Sequence, residues 1–409
     1  MPDQATPEPT RDRDSRAPAR RWAGLAVVLL VGLVAAVLLA LIVGALNPQL
    51  PRIGWRGLQQ AGQIVRFTLV ALVVGAIALW LWWRRRDWLR SLVAVTAVLA
   101  LLGGGFITTR QVLTATVEGV SLNPLQLVGI GEPATRAPDA DVVYTQDQGE
   151  DLRVAIWRPP QASAPSPVVV YIHGGGWIMG GRADESVAAH ASWLADQGFV
   201  VASVDYSLSG PQRHLWNVAE PQLGCALSWV AGNAAQYGGD AGRLGLVGDS
   251  AGGTLALNVG YRANAGTLES VCGGSVPRVA AVSALYPVAD PVGFHDNPNP
   301  ATSELATTMT EQYLGGPPQQ YPQRYTAITP ATHLTDRAPA TLLTVPTADS
   351  LVPPQGAYDL AAELERRPVP AHLIRIYPLD HSFDHALGSI GTQTWRQATV
   401  SWLRDHGLG

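Results

Sequence analysis

Apolar and polar positions divide this chain into two parts. Through the first quarter apolar residues run almost unbroken. Beyond it, short apolar runs alternate with mixed stretches, each bounded by glycine, proline or polar residues. Trp22–Leu46 holds 25 residues without a charge, about 37 Å as a helix against a hydrocarbon core of about 30 Å. Ile64–Trp83 carries only Arg66 near its start, and Trp88–Thr109 has Arg90 near one end and a Gly103-Gly104-Gly105 break late in the run. A soluble core helix keeps a polar face over such a length, and these runs do not. The pattern therefore predicts three membrane spans, over 22–46, 64–83 and 88–109. A cleaved signal peptide fits the first run poorly, because the run is too long and two more follow.

From about 141 onward the pattern changes to strand-like runs alternating with helical ones, as in a mostly parallel sheet wrapped by helices. Val142–Thr145 and Leu152–Arg158 read as a leading antiparallel pair. Val168–Ile172, Phe199–Val204, Leu244–Val247, Val279–Leu285, Thr341–Val345 and His372–Tyr377 read as buried strands. Helices are expected over Glu185–Gln197, Glu220–Tyr237, Ala251–Ala263, Ala357–Arg366 and Thr392–His406. Residues 1–20, rich in Pro, Arg and Asp, read as a disordered tail. Residues 111–140 read as a linker punctuated by Pro124, Pro133 and Pro138. The folded part is then 141–409.

Arginine placement sets an orientation. Arg11, Arg13, Arg16, Arg20 and Arg21 precede the first span, and Arg84–Arg86 with Arg90 lie between the second and third. The loop between the first and second spans has Arg52 and Arg56, with Arg66 at its edge. The N-terminus and second loop are therefore expected in the cytoplasm and the folded domain outside it. Trp80, Trp82, Trp83 and Trp88 suit a membrane interface beside that cytoplasmic loop.

Composition then removes several chemistries. All 28 basic residues are arginines, so a Ser-Lys dyad, a Schiff base and a P-loop lysine are excluded. The formal charge of -4 and the lack of a basic stripe argue against nucleic acid. Cys225 and Cys272 sit in no metal-ligand cluster. Outside the cytoplasm they could pair as a disulfide, although Cys225 reads equally well as a small buried helix residue.

Two glycine-rich segments carry the chemistry. His173-Gly174-Gly175-Gly176-Trp177 follows one apolar strand, and Gly248-Asp249-Ser250-Ala251-Gly252-Gly253 follows another. The second fits G-x-S-x-G, the turn that lifts a serine above a parallel sheet at the start of a helix. The first fits a loop whose backbone N–H groups stabilise an oxyanion. Either alone is weak, since a Gly-rich turn can hold an incidental serine. In this order, each after a strand, they point to acyl transfer through Ser250. The oxyanion would meet the N–H groups of Gly174, Gly175 and Ala251. Trp177 either lines the substrate pocket or packs the loop.

Without lysine the base must be a histidine. His381 follows the last strand by a short loop and lies at the sheet's catalytic edge, with His385 its rival four residues later. His173 more naturally fixes its own loop. Asp349, just past strand Thr341–Val345, would orient the imidazole; Asp380 and Asp384 are alternatives, but stand awkwardly close to His381 in sequence. Asp380, His381, Asp384 and His385 could also suggest metal ligands by spacing, but no third ligand cluster supports a metal, and no cofactor is called for.

These segments, with Val204-Asp205-Tyr206, resemble the α/β-hydrolase superfamily, and within it the hormone-sensitive-lipase-like and related bacterial carboxylesterases. The resemblance covers roughly 141–409. It implies an α/β-hydrolase fold, a mostly parallel sheet with helices on both faces, preceded here by a three-helix transmembrane region. It implies Ser250 as nucleophile, Asp349 and His381 as its partners, the oxyanion hole at Gly174, Gly175 and Ala251, and Trp177 and Tyr206 beside the substrate. The expected activity is a membrane-anchored serine hydrolase acting on a small-molecule or lipid ester; a peptidase or amidase using the same triad, and a non-catalytic binding protein on this fold, are the alternatives. The acid-bearing strand departs from the pattern, ending Val345-Pro346-Thr347 where relatives usually place His-Gly. Residues 287–338, rich in Pro and Thr, stand where a partial lid is expected.

Overall fold

A computed structural model describes residues 16–50, 52–161 and 164–409. Helix α1 (Arg16–Leu46) begins before the expected first span, so part of the predicted tail is helical and its first 15 residues lie outside the described ones. Helices α2 (Ile64–Arg84) and α3 (Trp88–Val117) complete the N-terminal part. All three are long and apolar enough to cross a membrane. The predicted break at Gly103–Gly105 does not occur, and α3 runs through it. A Cβ on Gly103 would stand 2.6 Å from Ile42 of α1, and one on Gly104 2.6 Å from Thr68 of α2. Here the glycines let helices approach rather than ending one.

Eight strands follow: β1 (Ala140–Asp147), β2 (Glu150–Trp157), β3 (Ser166–Ile172), β4 (Val200–Val204), β5 (Gly239–Asp249), β6 (Ala281–Leu285), β7 (Ala340–Pro346) and β8 (Ala371–Ile376). They form one sheet in the order β1-β2-β4-β3-β5-β6-β7-β8. β2 is antiparallel to both β1 and β4, and the pairs from β4 to β8 are parallel. Alternation fixes the faces, because successive side chains of a strand point to opposite sides. Val168, Val170 and Ile172 of β3 enter one apolar layer with helices α5 (Ala219–Asn233), α6 (Ser250–Ala265) and α8 (Gln355–Leu364). Val169 and Tyr171 enter the other with α4 (Glu185–Asp196) and α9 (Ile390–Leu403). Between β6 and β7 the predicted lid contains α7 (Ser303–Leu314), with short helices Pro291–His295 and Pro322–Ile328 on either side.

The second layer does not stop at the sheet. Leu38, Ile42, Ile64 and Ile107 of the N-terminal helices share one buried cluster with Ile374, Leu379 and Phe383. The expected linker is also docked. α3 continues to Val117, then the Ser121 and Asn123 N–H groups donate to Gln397 and Gln393 of α9 at 3.1 and 2.7 Å. Polar side chains on α9 thus satisfy backbone that a free linker would leave to water.

Candidate active site

Register brings the ends of the parallel strands to one edge: Ile172 pairs with Gly248, Asp249 with Leu285, Leu285 with Thr344, and Pro346 with Ile376. The loops leaving this edge carry the predicted residues. Ser250 opens α6 directly after β5 at φ +53°, a left-handed conformation that costs a side-chain-bearing residue on the order of 1–3 kcal/mol. Tight glycines around it permit the turn. A Cβ at Gly248 would strike the Gly252 carbonyl, and one at Gly252 the carbonyls of Ile172 and His173.

The three residues predicted to act together are joined in a chain. The Ser250 hydroxyl donates to Nε2 of His381 at 2.9 Å, and the Nδ1–H of His381 donates to Asp349 Oδ2 at 2.8 Å. The other Asp349 oxygen accepts the N–H groups of Leu351 and Val352 at 3.0 and 2.8 Å, which fixes the carboxylate. The rivals are placed elsewhere. Asp380 accepts from Ser350 N–H, the Ser350 hydroxyl and the N–H of His381 itself, so it braces the acid loop against the histidine loop. His385 is exposed. Burial alone would push the His381 imidazole down, but Asp349 first, then Asp380 and Asp384, hold it above the usual histidine value.

The His173–Trp177 turn faces the serine turn. A Cβ at Gly174 would occupy the space of the Asp249 carboxylate, to which the Gly174 N–H is directed. Asp249 also accepts the Tyr171 hydroxyl at 3.1 Å, and burial, with the nearby Asp384 charge, pushes its carboxyl up to about 7. The N–H groups of Gly175 and Gly176 enter no turn or loop bond to a backbone carbonyl among the described residues; Gly176 is not among the expected donors. Gly175 and Gly176 take φ of +112° and +59°, open to glycine at little cost.

Trp177 and Tyr206, expected beside the substrate, are buried and packed against the turn. Trp177 is 1% exposed and stacks on Tyr313 of α7 at 4.6 Å. The Tyr206 ring stacks on His173 at 4.5 Å and its hydroxyl donates to the His173 carbonyl at 3.0 Å. Both fix the glycine turn from below. The 287–338 segment meets the same site: Met309 fills the space beside Gly176, and Asn297 donates to the Ser350 and Leu351 carbonyls at 3.0 and 2.9 Å. Sequence reading misses His190, Tyr286 and Arg396, which lie behind His381. Their sequence trace is no more than a histidine and an arginine inside predicted helices.

Such an arrangement can take a proton from a serine, hold the resulting imidazolium against a carboxylate, and offer free N–H groups to a developing negative charge. Comparisons with known proteins agree with that chemistry. The BD-FAE family model matches residues 154–364. Carboxylesterase NlhH of Mycobacterium tuberculosis is 40% identical over 124 residues, 30% of this chain and 37% of that protein. Esterase LipC of the same organism is 28% identical over 225 residues, 54% of each. The chain thus spans from about a third to about a half of the length of these curated relatives. Among solved structures, Thermogutta terrifontis esterase 2 superposes with a TM-score of 0.54 at 21% identity, over 68% of this chain and 97% of that one; at that identity the likeness is one of fold. Esterase LipW of Mycobacterium marinum gives 0.52 at 27% identity, over 73% and 86%. By the family model the chain belongs to the BD-FAE family, and with its sheet order and these relatives it stands in the α/β-hydrolase superfamily, similar to the hormone-sensitive-lipase-like esterases.

Proposed function

We propose that this protein is a membrane-anchored carboxylic ester hydrolase that works through an acyl-serine intermediate. The observation that carries the reading is the hydrogen-bonded chain Ser250–His381–Asp349, with steps of 2.9 and 2.8 Å. Ser250 attacks the ester carbonyl as His381 takes its proton, and Asp349 holds the imidazole in the needed tautomer. The developing oxyanion meets the N–H groups of Ala251 and Gly175. Gly174, drawn toward Asp249, shapes the hole more than it donates to it. Each good donor is worth about 3–4 kcal/mol at the transition state. Collapse expels the alcohol, which receives the proton from His381. Water then follows the same path to free the acid. The esterase names of NlhH, LipC and LipW favour an ester over an amide.

The three N-terminal helices anchor the enzyme, and the arginine asymmetry supports a catalytic domain outside the cytoplasm. The Cys225–Cys272 disulfide supports the same side.

The test uses the full chain in detergent with p-nitrophenyl acetate and a fluorophosphonate probe. Ser250→Ala is expected to lower turnover by at least about 10⁴-fold and to abolish labelling, with an unchanged melting curve. Wild-type-like turnover by that variant would remove the assignment.

A further inference from the structure

His381 has a second set of partners that the triad does not use. Tyr286, the residue after β6, lies with its ring 4.3 Å from the His381 ring and takes φ of +35°. Its hydroxyl donates to Asp384 Oδ1. The other Asp384 oxygen accepts the Nε2–H of His190 from α4 at 2.8 Å. Arg396 of α9 donates through Nε and Nη2 to His190 Nδ1 at 3.1 and 2.9 Å, and through Nη2 to the Ala189 carbonyl at 3.1 Å. An Nδ1 that accepts must be a lone pair, so His190 is neutral and carries its proton on Nε2. Asp384 is then an anion and Arg396 a cation, joined through one imidazole. Asp384, His190, Arg396 and Tyr286 are all 4% exposed or less.

A buried ion pair of this kind is a poor way to stabilise a fold, because desolvation offsets most of its attraction and apolar side chains would serve as well. Its placement gives it another use. Asp384 stands three residues from His381 on the same loop, and Tyr286 spans the gap between the carboxylate and the imidazole face. Burial and the Arg396 charge hold His190 well below its usual value, so it stays neutral through the working range. Burial would raise the Asp384 carboxyl, but the bonds from His190 and Tyr286, with the nearby imidazoles, together reverse this and keep it ionised.

We infer that Asp384, acting through Tyr286, is a positioning residue for His381: it fixes the imidazole plane and supplies a further negative charge behind the imidazolium formed during turnover. This role rests on the ester-hydrolase reading above. The groups facing His381 are Ser250, Asp249, Asp349 and Tyr286 from other elements, and Asp380 and Asp384 from its own loop. Of these carboxylates, only Asp384 is paired to a buried arginine through a histidine.

The pH profile of kcat/KM for p-nitrophenyl acetate, on the full chain in detergent, decides the matter. In Asp384→Asn the acid-limb midpoint is expected at lower pH, because the imidazolium loses a neighbouring negative charge. Its kcat is expected to fall by about tenfold to a hundredfold with KM unchanged. Tyr286→Phe keeps the charge and the ring, so the midpoint stays while kcat falls. An unmoved midpoint in folded Asp384→Asn, whatever its kcat, would reduce the network to a brace and overturn the inference. Should that variant not fold, Tyr286→Phe decides: wild-type kcat overturns the inference, and a loss of kcat at constant KM and Tm supports it. A Ser250→Ala variant that stays active removes the hydrolase reading itself, and so separates the two failures.

Discussion

Ser250 holds a left-handed backbone that only a crowded turn can enforce, and His381 holds a proton affinity that only its neighbours can explain. In the proposed mechanism both departures serve one step. The serine is raised off the sheet, where its Oγ reaches Nε2 and little else competes for it. The imidazole is more basic than a free one because Asp349, Asp380 and Asp384 outweigh the cost of burying its cation. The sign of the pH dependence follows. Only neutral His381 can accept the serine proton, so activity is lost as pH falls through its folded pKa, which lies above the usual value of about 6.5. The acid limb of kcat/KM is therefore expected above pH ~6.5, and a midpoint at or below it would contradict the influence of the surrounding carboxylates. Asp349→Asn should bring that limb down and cut kcat sharply, since the tautomer is no longer held.

At the scale of elements, the site depends on how closely α6 crosses the end of β3. Gly252 touches the carbonyls of Ile172 and His173, so the serine turn and the glycine turn are held together by backbone with no side chain between them. Gly252→Ala would force the two apart. Overpacking of this kind costs about 1–3 kcal/mol, and the expected outcome is a lower Tm with turnover reduced by misplacement of the oxyanion donors; an unchanged Tm would mean the contact yields freely. Contacts of this sort are legible in the sequence, because G-x-S-x-G and His-Gly-Gly-Gly each follow a continuous apolar strand and each element falls where its period places it. The proposed triad is legible for the same reason: Ser250, Asp349 and His381 follow three strands whose ends share one edge. What sequence does not give is the partner of a buried polar side chain. His190 and Arg396 lie 206 residues apart and meet only because α4 and α9 pack on one face of the sheet. How Trp177 and Tyr206 pack is hidden for a related reason, since an aromatic beside a glycine turn can equally face a ligand or brace the turn; here Trp177 stacks on Tyr313 and Tyr206 on His173. The glycines of α3 read as a break because periodicity within one helix says nothing of the helix beside it.

For the whole molecule, the apolar layer that carries α9 and the histidine loop runs on into the ends of α1, α2 and α3. A Cβ at Gly62, in the turn before α2, would stand 3.2 Å from Ala386 and 3.8 Å from the Phe383 carbonyl, two residues from His381. The His372 imidazole meets Glu118 at 2.8 Å, and Arg110 lies over the Tyr377 ring at 5.4 Å. An anchor built as a tether would need none of these contacts. Here the helix ends form part of the support for the loop that carries His381, so that under the proposed function the anchor and the active site are built together. The Cys225–Cys272 pair reads out that side. It joins α5 to a loop 47 residues on, and closing such a loop in the unfolded chain is worth about 4 kcal/mol in the chain-entropy model. Reduction of the full chain is expected to lower Tm by roughly 8–16 °C at about 2–4 °C per kcal/mol. Alkylation of intact cells before lysis then fixes the orientation. A domain outside the cytoplasm keeps both cysteines bonded and unalkylated until a reductant is added, whereas two alkylated cysteines in unreduced membranes would place the domain on the reducing side and overturn the arginine-based orientation.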